Sequence, residues 1–162
     1  MVCPGKRKKF SPAFTVIELL CVLAILGLLA ALAVPALAHW AAAGTLETAA
    51  HRLAQDMRRV QQAAITSGLT SEIVFYKYGT DFDYRIRDYA SGKKIDVKLP
   101  PGITFRSINF PGEGIYTLKF YRSGAPNQGG SVGLKNERGE SLYVIVTPAT
   151  GRVRISSEPP DW

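Results

Sequence analysis

Cysteine and histidine are scarce in this chain. Its two cysteines, Cys3 and Cys21, both lie near the start, so nothing after Cys21 can build a disulfide framework or a cysteine-based zinc site. Cys21 reads as a small apolar packing residue. The two histidines, His39 and His51, have no partner at metal-ligand spacing, and no nucleophile elbow is present. Gly124 to Gly130 is rich in glycine, but no Lys-Ser or Lys-Thr follows, so the segment reads as a hairpin loop and not as a phosphate cradle. Repeats, low-complexity tracts and Gly/Ser-rich linkers are also missing. These absences leave catalysis with little support. The chain reads as not an enzyme, with no cofactor and no metal site.

Charge is less informative than its total suggests. The formal net charge is +7, but Lys6-Arg7-Lys8-Lys9 supplies four of the positive charges. Residues 14–162 then carry 16 Lys+Arg against 13 Asp+Glu. That small excess does not by itself argue for a nucleic-acid partner.

What the sequence does contain is a long apolar run with one carboxylate at its mouth. From Leu19 to Ala38 there is no charge and no side-chain amide, and Glu18 stands just before it. Twenty residues at about 1.5 Å each match a bilayer core of about 30 Å. With the basic block on the N-terminal side, the positive-inside rule places Met1 in the cytoplasm and residues beyond 38 outside. A carboxylate kept in such a run is costly unless it has a partner. Ala36-Leu37-Ala38 also fits a signal-peptidase site, which would make the rest a secreted β-domain. The apolar run is longer than a usual signal core, and Glu18 does not suit one. Trp40 reads as an interfacial anchor.

Beyond residue 38 the periodicity becomes one-sided. Leu46, Ala50, Leu53, Met57, Val60 and Ala64 form one apolar stripe, with charged and amide residues on the other sides. Ser67-Gly68 is a stop signal. A helix from about Phe14 to Ser67 would be about 80 Å long. After Gly68 come seven or eight short strands, mostly in antiparallel hairpins, with candidates at 73–76, 84–86, 95–99, 103–105, 116–121, 131–134, 142–146 and 153–155. Turn residues separate them. The expected fold is α+β: a long N-terminal helix, transmembrane and then amphipathic, packed on a C-terminal antiparallel β-sandwich-like head. The expected organisation is a basic leader at 1–13, a transmembrane segment at 14–38, an amphipathic continuation at 39–67 and the head at 68–162.

Ala13-Phe14-Thr15-Val16-Ile17-Glu18-Leu19-Leu20 resembles the processing signal of type IV prepilins and type II secretion pseudopilins. Pro35 stands where many of those proteins have a proline. The family usually has Gly where this chain has Ala13, the next smallest side chain. Three head segments, Leu99 to Phe105, Phe120 to Gly124 and Gly151-Arg152-Val153-Arg154, resemble the GspH/FimT branch of minor pilins and pseudopilins. The resemblance covers most of the chain.

The resemblance implies cleavage between Ala13 and Phe14 by a prepilin peptidase and N-methylation of Phe14. It implies that Glu18 pairs with the Phe14 amine of a neighbouring subunit, which would set axial register because each buried charge compensates the other. Pro35, lacking an N–H, would permit a kink in the helix. The partners implied are other pilins or pseudopilins, the peptidase and an inner-membrane assembly platform. The implied location is the bacterial inner membrane, single-pass, and then a pilus or pseudopilus serving protein secretion or DNA uptake. The Gly-Arg-x-Arg motif implies possible DNA contact. In a strand Arg152 and Arg154 share a face and suit backbone phosphates, with Lys135 and Arg138 as candidates to join them from the neighbouring hairpin.

Overall fold

The computed structural model describes residues 16–78, 81–89 and 91–161, and within its helix the side chains of 16–29 and 44–67. The helix α1 is bounded at Val16–Ser67. Eight strands follow: β1 Ser71–Tyr76, β2 Tyr84–Asp88, β3 Lys93–Val97, β4 Thr104–Asn109, β5 Ile115–Phe120, β6 Gly130–Lys135, β7 Ser141–Val146 and β8 Val153–Ser156. The chain divides into two compact units, Met1–His39 and Trp40–Trp162.

The described residues correct the expected helix. Their side chains fall in two short helical stretches, 16–29 and 44–67. Among them no helix is long and apolar enough to cross a membrane. The first stretch, at about 1.5 Å per residue, reaches about 21 Å, against the 30 Å of a bilayer core. The second has charged and amide side chains along its outer sides. The expectation of one long transmembrane-then-amphipathic helix on a head is therefore overturned, and the single-pass placement with it. By its hydropathy Leu19 to Ala38 reads as one span, but only its residues up to Leu29 are among the described side chains.

In the second unit the strands form two four-stranded sheets. Their orders are β3-β2-β1-β5 and β4-β6-β7-β8, and the pairings are antiparallel throughout. All eight lie on the segments expected from the turn residues and alternation.

The core forms where stretch 44–67 meets both sheets. Leu46, Ala50, Leu53, Met57, Val60 and Ala64 are all buried, as are Ala49 and Ala54 beside them. They share one cluster with Ile73, Phe75 and Leu118 of the first sheet and Val132, Leu134, Val144 and Val146 of the second. Phe75 is the central aromatic, stacked on Phe110 at 5.8 Å between ring centres and edge-on to Phe105 at 6.0 Å. Burying such a ring removes 150–250 Å² of surface from water, by rough estimate. Gly130 lets β4 and β6 approach closely, because a Cβ there would stand 2.1 Å from the Asn109 carbonyl oxygen.

A polar contact fixes the helix on the first sheet. The Tyr84 hydroxyl donates to Asp56 Oδ2 at 2.6 Å. Burial, reinforced by this bond to a carboxylate, pushes the phenol well above its ordinary pKa. The Tyr84 hydroxyl therefore stays protonated, and a donor, across the working pH range.

Candidate functional site

A cleft of about 560 Å³ lies between α1 and β8, lined by His51, Arg58, Gln61 and the four residues Arg152 to Ile155. The local sequence explains the wall on the β8 side. Val153 is buried and Arg152 and Arg154 are exposed, the alternation expected of a strand with one apolar face. The β7–β8 turn is tight: Gly151 N–H donates to the Thr147 carbonyl, and Thr147 N–H donates to the Arg152 carbonyl, both at 3.0 Å. Gly151 has φ +66°, and a Cβ there would come within 2.5 Å of Gln61 Nε2 and 2.6 Å of the Gly124 oxygen. Glycine is required on both counts.

The helix side supplies the other wall. Arg58 Nη2 donates to the Val153 carbonyl at 3.0 Å. Gln61 Nε2 donates to the Gly124 carbonyl at 2.7 Å and lies 3.4 Å from that of Thr150. These bonds fasten α1 to β8 itself, to the β5–β6 loop at Gly124 and to the β7–β8 turn at Thr150. His51 Nε2 lies 3.8 Å from Glu47 Oε1, one turn away and exposed. The cleft thus gathers three guanidinium groups, and no carboxylate is among its lining residues. Chemically this can bind anions. Among the described residues no group of three His, Cys, Asp or Glu is placed to hold a metal.

The expected site residues are distributed unevenly. Arg152 and Arg154 come together in the cleft. Lys135 and Arg138 do not join them. Lys135 pairs with Ser141 at one end of β7, whereas Val153 pairs with Val146 at the other. Five ladder steps of about 3.4 Å separate the ends, roughly 17 Å. Glu18 lies in the first turn of α1 and is exposed. Ala13 and Phe14 lie outside the described residues, and Pro35, Trp40 and His39 lie outside the described side chains. Cys21 is exposed and not disulfide-bonded.

Sequence reading missed Arg58 and Gln61. A signal was present: His51 and Arg58 stand seven apart, on one line of the helix beside the apolar stripe. The buried carboxylate Glu72 is structural. Arg87 Nη1 donates to it at 3.0 Å and the Tyr89 hydroxyl at 2.9 Å, all on one surface of the first sheet.

No family model matches the chain, and no curated protein or solved structure matches it either. Nothing in these comparisons identifies a pilin family, so the resemblance to pilins rests on the quoted motifs.

Proposed function

We propose that the chain is a structural subunit of a pilin-like filament, a minor pilin or pseudopilin of the GspH/FimT kind. The carrying observation is the helical stretch 16–29. Val16, Ile17, Leu19, Leu20, Leu23, Ile25, Leu26, Leu28 and Leu29 are each more than half exposed, and together they cover every side of the helix. Exposed apolar surface of this extent marks an interaction site, and matching helices of other subunits would cover it. Glu18 supplies one polar determinant at the end of this stretch. Paired with the processed amine of Phe14 in a neighbour, it would fix register, since a charge buried without its partner is strongly destabilising.

Two measurements test this. Mass analysis of the mature N-terminus should find N-methylated Phe14. A chain beginning at His39 instead would mean secretion and sink the reading. Glu18→Ala should abolish incorporation into filaments while the head melts as before. Normal incorporation of that variant would rule out the carboxylate–amine pairing.

A second reading, DNA capture, draws support from the cationic cleft, where Arg58 stands with Arg152 and Arg154. Contacts of this kind bind phosphates without sequence choice and weaken steeply with salt. Mobility shifts at low salt should disappear in the Arg152→Ala, Arg154→Ala double variant. No shift with the unchanged chain would remove this reading.

A further inference from the structure

The four sheet edges of the head are not treated alike. The outer edge of β5 is occupied by loops: Thr117 N–H donates to the Pro111 carbonyl at 3.0 Å, Asn127 N–H to the Lys119 carbonyl at 2.8 Å, and Lys119 N–H to the Asn127 side chain at 3.0 Å. β4 is interrupted by an irregularity between Phe105 and Ser107. On β8 the Val153 carbonyl is taken by Arg58. Each device discourages pairing with another strand. β3 differs. It ends the order β3-β2-β1-β5, and its first four residues are exposed.

The ladder fixes which backbone groups of β3 point outward. Tyr76 N–H donates to the Asp83 carbonyl at 2.8 Å. Alternate residues of β2, counted from there, face β1, so Tyr84, Ile86 and Asp88 face β3. Their partners on β3 are Val97, Ile95 and Lys93. The N–H and C=O groups of Lys94 and Asp96 therefore point away from the sheet. Among the described residues no loop or side chain bonds them. The side chains are equally ordered. Ile73 pairs with Ile86, and Ile86 with Ile95. Exposure along this row is 0%, 5% and 38%, so a row of isoleucines stops uncovered at the edge. A cavity of about 70 Å³ beside its end is lined in part by Val60, Ala63, Lys93 and Ile95. On the other face Lys94 stands opposite Arg87, a like charge, and Asp96 opposite Arg85, which it binds through both oxygens.

One partner satisfies all of these features, and it is the same strand turned about a twofold axis at Ile95. Lys94 then stands opposite Asp96 of the other copy, and Asp96 opposite its Lys94. Both are hydrogen-bonded pairs, so every outward N–H and C=O of the two residues is used. Ile95 meets Ile95 at a non-hydrogen-bonded position, where side chains come closest, and the isoleucine row runs on through both sheets. Centring the axis on Lys94 or on Asp96 would set like charges opposite each other, as would in-register parallel pairing. Edge lysines ordinarily deter pairing, but Lys94-Ile95-Asp96 supplies the opposite charge where the twofold needs it. Arg85 does not exhaust Asp96, since a carboxylate offers about four acceptor sites. We infer that β3 is a contact between two copies of this chain, which joins their first sheets into one continuous antiparallel sheet through the register Ile95 to Ile95. Such a contact closes at two copies and cannot by itself extend a filament. It draws nothing from the exposed stretch 16–29 or from the filament reading.

The test uses the whole chain in mild detergent, carrying Cys3→Ser and Cys21→Ser and one new cysteine: Lys94→Cys, Ile95→Cys or Asp96→Cys. Across the proposed axis the two Cα atoms at 95 stand about 4.5 Å apart, within disulfide reach, whereas those at 94, or at 96, stand roughly 8 Å apart. Under mild oxidation the Ile95→Cys chain should form disulfide dimers at least about ten-fold faster than the other two. Adding Lys94→Glu to it, which sets acid opposite acid, should slow the reaction about five-fold or more, with circular dichroism confirming the fold. In the unchanged chain, amide exchange at Lys94 and Asp96 should slow as protein concentration rises. Absence of the dimer at 95, rates at the three positions within about two-fold of one another, or indifference to Lys94→Glu overturns the proposal. So does exchange at Lys94 and Asp96 that ignores concentration. Glu18→Ala should leave the Ile95→Cys reaction unchanged, so failure of filament assembly and failure of the β3 contact are read separately.

Discussion

Stretches 16–29 and 44–67 share a helical backbone and rich apolar content, yet their side chains meet opposite surroundings. In the second stretch Ala50, Leu53, Ala54, Met57 and Ala64 have no exposed surface. In the first, large aliphatic side chains are exposed from 44% at Val22 to 76% at Val16. The difference lies in what each stretch has beside it. Residues 44–67 keep their apolar side chains on one stripe, and two sheets supply the matching surface. Residues 16–29 are apolar all round, a pattern that suits an environment apolar on every side. Apolar composition says that a segment must be covered; periodicity says by what geometry.

The sharpest way to break this comparison is to truncate one large side chain on each side of it. Phe75→Ala, in the core under residues 44–67, should lower stability by about 3–5 kcal/mol. Leu23→Ala, in the exposed stretch, should stay within about 0.5 kcal/mol. Denaturant titration of both variants decides, and equal losses would mean that the two stretches are not differently covered.

A smaller effect is expected where the helix is tied by polarity instead of packing. Tyr84→Phe removes the donor to Asp56 and should cost about 1–3 kcal/mol, read as a shift in the denaturant midpoint. No shift would mean that packing alone seats the helix. Arg58→Met, which keeps most of the stem, should cost about 1 kcal/mol for the lost bond to Val153. It should also raise amide exchange at the edge of β8.

The smallest effect belongs to the exposed pair Arg85–Asp96, where Arg85 Nη2 donates to Asp96 Oδ2 at 2.9 Å. This bond, more than the charge of Arg85 acting at a distance, holds the Asp96 carboxyl below its ordinary pKa. The lower pKa belongs to the folded state. Its stabilisation is therefore present above the ordinary aspartate value and disappears as pH falls through the folded one. Asp96→Asn should flatten the acid limb of the melting temperature plotted against pH. An unchanged acid limb would assign acid sensitivity to other carboxylates.

The head was largely legible in the sequence because its signals are local. Ile73-Val74-Phe75-Tyr76 and Leu142 to Val146 are β-rich runs bounded by Gly, Pro and Asn, and the stripe from Leu46 to Ala64 repeats every three or four residues. The division into two sheets was not legible, since which strands pair depends on contacts far apart in sequence. β1, for example, pairs with β5 and not only with its neighbour β2. Of the site, Arg152 and Arg154 were found because a strand places both on one face. Arg58 and Gln61 were missed because their role depends on β8 lying beside α1. Lys135 and Arg138 belong to the neighbouring hairpin, as expected of candidates to join the motif, but the β7 ladder holds them at its opposite end.

The bond from Arg58 to Val153 joins residues 95 positions apart. Long closures of this kind are slow, because chain entropy must be lost before the contact repays it. The edge of β8 therefore acquires its arginine only after helix and final strand have both formed and met. Until then it is a bare strand edge, of the sort that pairs with other chains. This edge is therefore among the last parts of the head to be covered, so Arg58→Ala should lengthen the time in which the final strand is open to misassembly.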